Sequence, residues 1–170
     1  LVASSAFAQL SATPANTPIK LTKNETLTVS TSALTNFAAG GLVMAGNAAD
    51  SDVQSVTITS TWNLADNRTT GVDVCVLSSV LTGTIAVPDV VPVTAIYAGP
   101  TATPSTAMGS ATSQCATSGA VLIGNHPTAT KAARKNSAGL TDTAYLQVQG
   151  QPDIAVDTYN GTLTVYAYVQ

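Results

Sequence analysis

The residues able to do chemistry are few and scattered. A single histidine, His126, sits in Gly124-Asn125-His126-Pro127. An imidazole works as a general base only when a second group orients it and a nucleophile lies within reach. The flanking residues offer a turn and neither partner, so His126 reads as a loop residue. Asp50 and Asp52, with Asn47 nearby, supply oxygens of the kind calcium prefers, but no calcium-loop spacing frames them. Asp153 and Asp157 flank a turn and suit local bonds to backbone amides. The many Ser and Thr have no activating base beside them. These residues form no catalytic set, metal set or cofactor motif, and the expectation is a protein that is not an enzyme.

Cys75 and Cys115 are the chain's two cysteines. Their spacing fits no zinc motif, and one histidine cannot complete a site with them. Two readings stay open: a disulfide between them, which suits a Thr-rich chain of exported character, and two unrelated buried thiols. Closing that loop would add roughly 4 kcal/mol on the chain-entropy account. Asn24-Glu25-Thr26, Asn67-Arg68-Thr69 and Asn160-Gly161-Thr162 match the N-glycosylation acceptor, a pattern that Thr-rich sequences also produce by chance. Asn24, Asn67 and Asn160 are therefore candidate glycan sites where the host modifies exported proteins, and turn or strand-edge residues otherwise.

Composition narrows the classes. Charged residues make up 9% of the 170, against about a quarter in an average soluble domain. Disorder usually combines low hydrophobicity with high net charge. This chain is 45% hydrophobic with a net charge of -3, so it is expected to fold, and to do so as one domain. The negative balance argues against nucleic acid. Lys131, Arg134 and Lys135 are a short basic group without nearby aromatics, which reads as a solvated loop. So few surface charges leave little electrostatic protection against self-association.

The elements that must position anything functional are strands. The clearest is the terminal Gly161-Thr162-Leu163-Thr164-Val165-Tyr166-Ala167-Tyr168-Val169-Gln170. Leu163, Val165, Ala167 and Val169 share one face of it and Thr164, Tyr166 and Tyr168 the other, since strand side chains alternate. Asp157 to Gly161 supplies the preceding turn, and the terminal strand is expected inside a sheet. Further strands are predicted over 26–32, 53–64, 72–77, 90–97, 120–123 and 143–149, separated by turn residues. Val56, Ile58 and Trp62 share a face of the second, with Trp62 as core anchor. Residues 33–49 read as a short helix or an irregular crossover, with the crossover preferred, and 100–113 as a long exposed loop. This spacing predicts an all-β, antiparallel sandwich of immunoglobulin-like or jelly-roll type, with an extended N-terminal strand.

Residues 1–10 differ in character. Ala6-Phe7-Ala8-Gln9 resembles the end of a secretory signal, which implies export. The same residues also read as a strand that is apolar on both faces. Val2, Ala6, Ala8 and Leu10 lie on one side, and Leu1, Ala3 and Phe7 on the other. A strand buried on two sides, or inserted into a groove of another molecule, has that pattern. Residues 11–18 contain Pro14 and Pro18 among small polar residues, which favours an extended linker. The predicted organisation is an extension over 1–18 and a sandwich domain over 19–170.

The ending Thr158-Tyr159-Asn160-Gly161-Thr162-Leu163-Thr164-Val165 resembles the terminal Gly-x-Tyr…Leu-x-Val strand of bacterial fimbrial and spore-coat-U-like subunits, over about the last 25 residues. Here the Tyr precedes the Gly. Archaeal pili built by strand donation are similar in composition, being Thr-rich and poor in charge. The resemblance implies a secreted sandwich that polymerises by lending a strand to a neighbour. Leu1, Val2, Ala3, Ala6, Phe7, Ala8 and Leu10 would be the donor, and Trp62, Leu163, Val165 and Val169 the core that accepts it. The expected partners are further copies of the chain and surface receptors, with no nucleic acid and, once assembled, no membrane. The expected place is an extracellular appendage. A secreted adhesin or carbohydrate-binding module, using Tyr166 and Tyr168 as a platform, is the second expectation.

Overall fold

Alternation along Gln54–Asn63 places Val56, Ile58, Ser60 and Trp62 on one face, and all four are buried. The computed structural model describes residues 21, 23–32, 50–85, 87–110, 117–155 and 157–170. In chain order the elements are β1 (Thr26–Thr31), β2 (Gln54–Asn63), β3 (Val72–Ser78), β4 (Leu81–Gly83) and β5 (Val90–Val91). A 3-10 turn (Val93–Ala95) follows, then β6 (Ile96–Gly99), β7 (Thr106–Ala107), β8 (Val121–His126), β9 (Lys135–Val148), β10 (Tyr159–Asn160) and β11 (Leu163–Val169). Among the described residues no helix is long and apolar enough to cross a membrane.

The fold is an all-β antiparallel sandwich. One sheet runs β1-β2-β9-β6-β7 and the facing one β11-β3-β8. A small sheet, β10-β4-β5, prolongs the second. The prolongation is held at the bend, where the Ser79 amide donates to the Thr162 carbonyl and the Thr162 amide donates to Ser79 Oγ, both at 2.9 Å. Between the layers, Val56 and Ile58 of β2 and Ala144, Leu146 and Val148 of β9 meet Val74 and Val76 of β3 and Val121 and Ile123 of β8. Burying each such aliphatic side chain contributes roughly 1.5–3 kcal/mol.

The registers define two ends. Leu27 pairs with Trp62, Trp62 with Asn136, and Val72 with both His126 and Val169, so these residues gather at what we call the Trp62 end. At the other, the hairpin end, Ile96 pairs with Val148 and Leu81 with Val91 beneath the β4–β5 hairpin.

Several expectations need correction. The single strand expected over 90–97 is two, β5 and β6, in different sheets. Pro92 has no N–H to give a ladder, and the 3-10 turn follows it directly. The strand expected over 143–149 begins well before Thr143, because Lys135 opens β9, and a short β10 intervenes before the terminal strand. The basic group is not uniformly solvated. Arg134 is buried, its Nη1 donating to the carbonyls of Thr128 and Ala129 and its Nη2 to Asp66, each at 3.2 Å. The loop expected over 100–113 includes β7 and the buried Met108, whose sulfur accepts the Ser78 amide at 3.0 Å. The crossover expected over 33–49 and the boundary at residue 18 lie outside the described residues.

Candidate functional site

Among the described residues, one flank of the sandwich carries two open edges. Strand β1 closes one sheet and β11 the other, and they lie against each other. Among the described residues nothing pairs with the outer edge of either. The terminal strand, expected inside a sheet, is in one, paired with β3, and among the described residues it is that sheet's edge. Leu163 and Val165 face the main core, and Leu27 and Val169 face Trp62, yet all four are half-buried, as is Val29. Side chains at matching depth on the central strands, Ile58, Val74 and Val76, are fully buried. Natural edges are usually blunted by charge or proline. Neither Thr26–Thr31 nor Leu163–Val169 contains one.

The Trp62 end is built differently. Trp62 Nε1 donates to the Ala133 carbonyl at 2.8 Å, and its ring stacks on His126 with centroids 5.6 Å apart. His126 is the last residue of β8, not a loop residue, and its Nε2 lies 2.9 Å from Asp142 Oδ2 on β9. The pair joins the two sheets. Asp142 fits because β8 carries glycine opposite it, since a Cβ on Gly124 would clash with the Asp142 carboxylate. Glycine inside a strand commonly marks such a close approach, and this is the sequence signal that could have found the pair. Beside it β9 bulges between the Ser60 and Trp62 registers, with Gly139 at φ +89. Only glycine adopts that φ without strain. The bulge leaves a pocket of about 290 Å³ bounded by Trp62, His126, Pro127, Ala132, Ala133, Lys135, Asn136 and Leu140. No hydroxyl or thiol nucleophile lines it.

A buried carboxylate also escaped the sequence reading. Asp73 on β3 is fully buried and accepts the side-chain amides of Asn125, at 2.6 Å, and Gln170. It is satisfied rather than reactive. Asp157 does more than serve its own turn, because it accepts Thr84 Oγ1 at 2.6 Å and the Ile85 amide at 3.0 Å, tying the β4–β5 hairpin to β10. The Thr84 hydroxyl, followed by the amides of Ile85, Thr158 and Thr84, holds its carboxyl below the usual aspartate range. Glu25 is lowered likewise, first by the Ala65 amide and then by Arg68.

The other expected residues are scattered. Cys75 is fully buried against Ala120 with Leu77, Leu122 and Tyr166, and is not a free thiol. Cys115 and the donor residues Leu1, Val2, Ala3, Ala6, Phe7, Ala8 and Leu10 lie outside the described residues, as does Asn47. Asn24, Asn67 and Asn160 are all exposed. Asp50 Oδ1 accepts the Gly150 amide at 3.0 Å, and no group of three or more candidate metal ligands exists among the described residues. Tyr166 packs over Cys75 while Tyr168 is exposed, so the two do not form one free aromatic platform. No protein-family model, curated protein or solved structure matches the chain.

Proposed function

We propose that the chain is a structural subunit of an extracellular filament, in which residues 1–10 of one copy add as a strand to the β11 edge of the next. The observation that supports this reading is the half-burial of Leu163, Val165 and Val169 beside an edge that no described residue pairs with and that lacks charge and proline. A strand laid there satisfies the open backbone groups, and completing the burial adds on the order of 1 kcal/mol per aliphatic side chain. The segment has the matching character, being apolar on both faces and tethered by a linker that contains Pro14 and Pro18. Head-to-tail repetition of such a contact does not close, so it yields a fibre. In the same reading Cys75 bonds to Cys115, which suits an exported protein, and the subunit catalyses nothing.

Deleting residues 1–10 tests the proposal. The expected product is a folded monomer that does not elongate under electron microscopy. Filaments of normal appearance from the truncated chain would overturn it.

A further inference from the structure

The two ends of the sandwich differ in shape and in charge, and the differences are complementary. At the hairpin end the β4–β5 tip projects large apolar side chains into solvent: Ile85 is 46% exposed, Val87 85% and Val90 45%. Isolated exposed aliphatics are ordinary, but neighbours grouped on one projecting tip form a patch that water does not favour. The tip is also held in shape. Asp157 accepts from Thr84 and Ile85, and the Gly83 amide donates to the Asp89 carbonyl at 3.0 Å. At the opposite end the pocket beside Trp62 offers an apolar lining of Pro127, Ala132, Ala133 and the 41% exposed Leu140. From Val72 to Ser78 strand β3 alone advances roughly 20 Å at the usual strand rise, and the β4–β5 tip lies beyond its far end, so tip and pocket do not meet within one copy.

Charge follows the same axis. Lys23, Arg68, Lys131, Arg134 and Lys135, the cations among the described residues, all belong to the Trp62 end or the loops that close it. Glu25 pairs with Arg68 and Asp66 with Arg134 there, and Asp73 and Asp142 are largely buried, so Lys23, Lys131 and Lys135 are the cations left without a salt bridge among the described residues. Asp50, Asp89, Asp153 and Asp157 lie at the hairpin end, where the described residues include no cation to offset them. Their field is felt locally. The Tyr159 hydroxyl has its pKa raised, first by desolvation and then by the charges of Asp89 and Asp157.

We propose that the apolar hairpin tip of one copy seats in the Trp62-end pocket of a second copy, with Lys131 and Lys135 facing Asp89. The contact joins unlike surfaces on opposite ends, so it propagates in a line instead of closing a dimer. Charge steers the approach and sets the direction, and the aliphatic tip supplies the burial. This contact goes beyond strand donation and does not rest on it. Strand donation would use the β11 flank, whereas this contact uses the two ends.

The test is cross-linking of the full chain carrying Val87→Cys and Leu140→Cys, both exposed positions outside the core. Oxidation is expected to give a covalent ladder on a denaturing, non-reducing gel, and a one-to-one mixture of the two single variants is expected to give a dimer and stop. A double variant that stays monomeric, or single variants that alone dimerise as well as the mixture, would overturn the proposal. Lys131→Glu with Lys135→Glu is expected to slow the ladder by roughly tenfold at low salt, the lower end of what steering contributes. An unchanged rate there would also overturn it.

Discussion

His126 Nε2 lies 2.9 Å from Asp142 Oδ2, and this contact ties β8 of one sheet to β9 of the other at the Trp62 end of the sandwich. Both side chains are largely buried, so neither can trade the bond for water without moving. Asp142→Ala is expected to destabilise the protein by about 1–3 kcal/mol, the cost of leaving a buried polar partner unmade. Chemical denaturation checks this, and an unchanged midpoint would remove the pair from the account.

Gly124 is coupled to that pair. Gly124→Ala forces a methyl against the Asp142 carboxylate and is expected to cost about 1–3 kcal/mol as overpacking. In the Asp142→Ala background the clash disappears, so the double variant should be less destabilised than the two single losses added. A double-mutant cycle measures the difference, and strict additivity would contradict the contact.

Trp62 anchors the same end through its ring stack, its bond to the Ala133 carbonyl and its packing on Leu64 and Val72. Trp62→Ala is expected to cost about 3–5 kcal/mol. A melting temperature within a degree or so of the parent's would contradict that placement.

How much of this was legible beforehand depends on where the cause lies. Strand β2 could be read directly because Val56, Ile58 and Trp62 alternate with Thr, and the register of one buried face follows from local sequence. The first half of β9 could not, since Lys-Asn-Ser-Ala-Gly-Leu-Thr-Asp shows no apolar alternation. It is a strand because β2 offers it a ladder, which is a tertiary cause. The break at Pro92 was legible in principle and was missed. The His126–Asp142 contact spans two sheets and left only one local trace, the glycine at 124. That β11 forms an edge depends on strand order, which alternation within one segment does not encode.

The acid side of the stability profile follows from Asp157 and Glu25. Both carboxyls sit below their ordinary values in the folded chain, Asp157 through Thr84 Oγ1 and neighbouring amides and Glu25 through the Ala65 amide and Arg68. A lowered folded pKa contributes stability that is present above the unfolded value and lost as pH falls through the folded one. Acidification from about pH 6 to below the ordinary aspartate value of 3.8 should therefore lower the melting temperature. Asp157→Asn should lose less over that range than the parent does. Equal losses in parent and variant would show that the hairpin clamp contributes nothing.

The disulfide has a simple readout. Intact mass after alkylation under denaturing, non-reducing conditions is expected to be unchanged, and reduction should then expose both Cys75 and Cys115. Two thiols alkylated without reduction would exclude the bond.

The central claim is that β11 receives a strand, and amide hydrogen exchange along Leu163–Val169 tests it most directly. In the chain without residues 1–10, the amides on the side of β11 away from β3 should exchange quickly. Adding a synthetic peptide of residues 1–10 should slow those amides while leaving the ones bonded to β3 nearly unchanged. If the outward amides of β11 exchange equally fast with and without the peptide, at concentrations where the peptide binds, strand donation at this edge is contradicted.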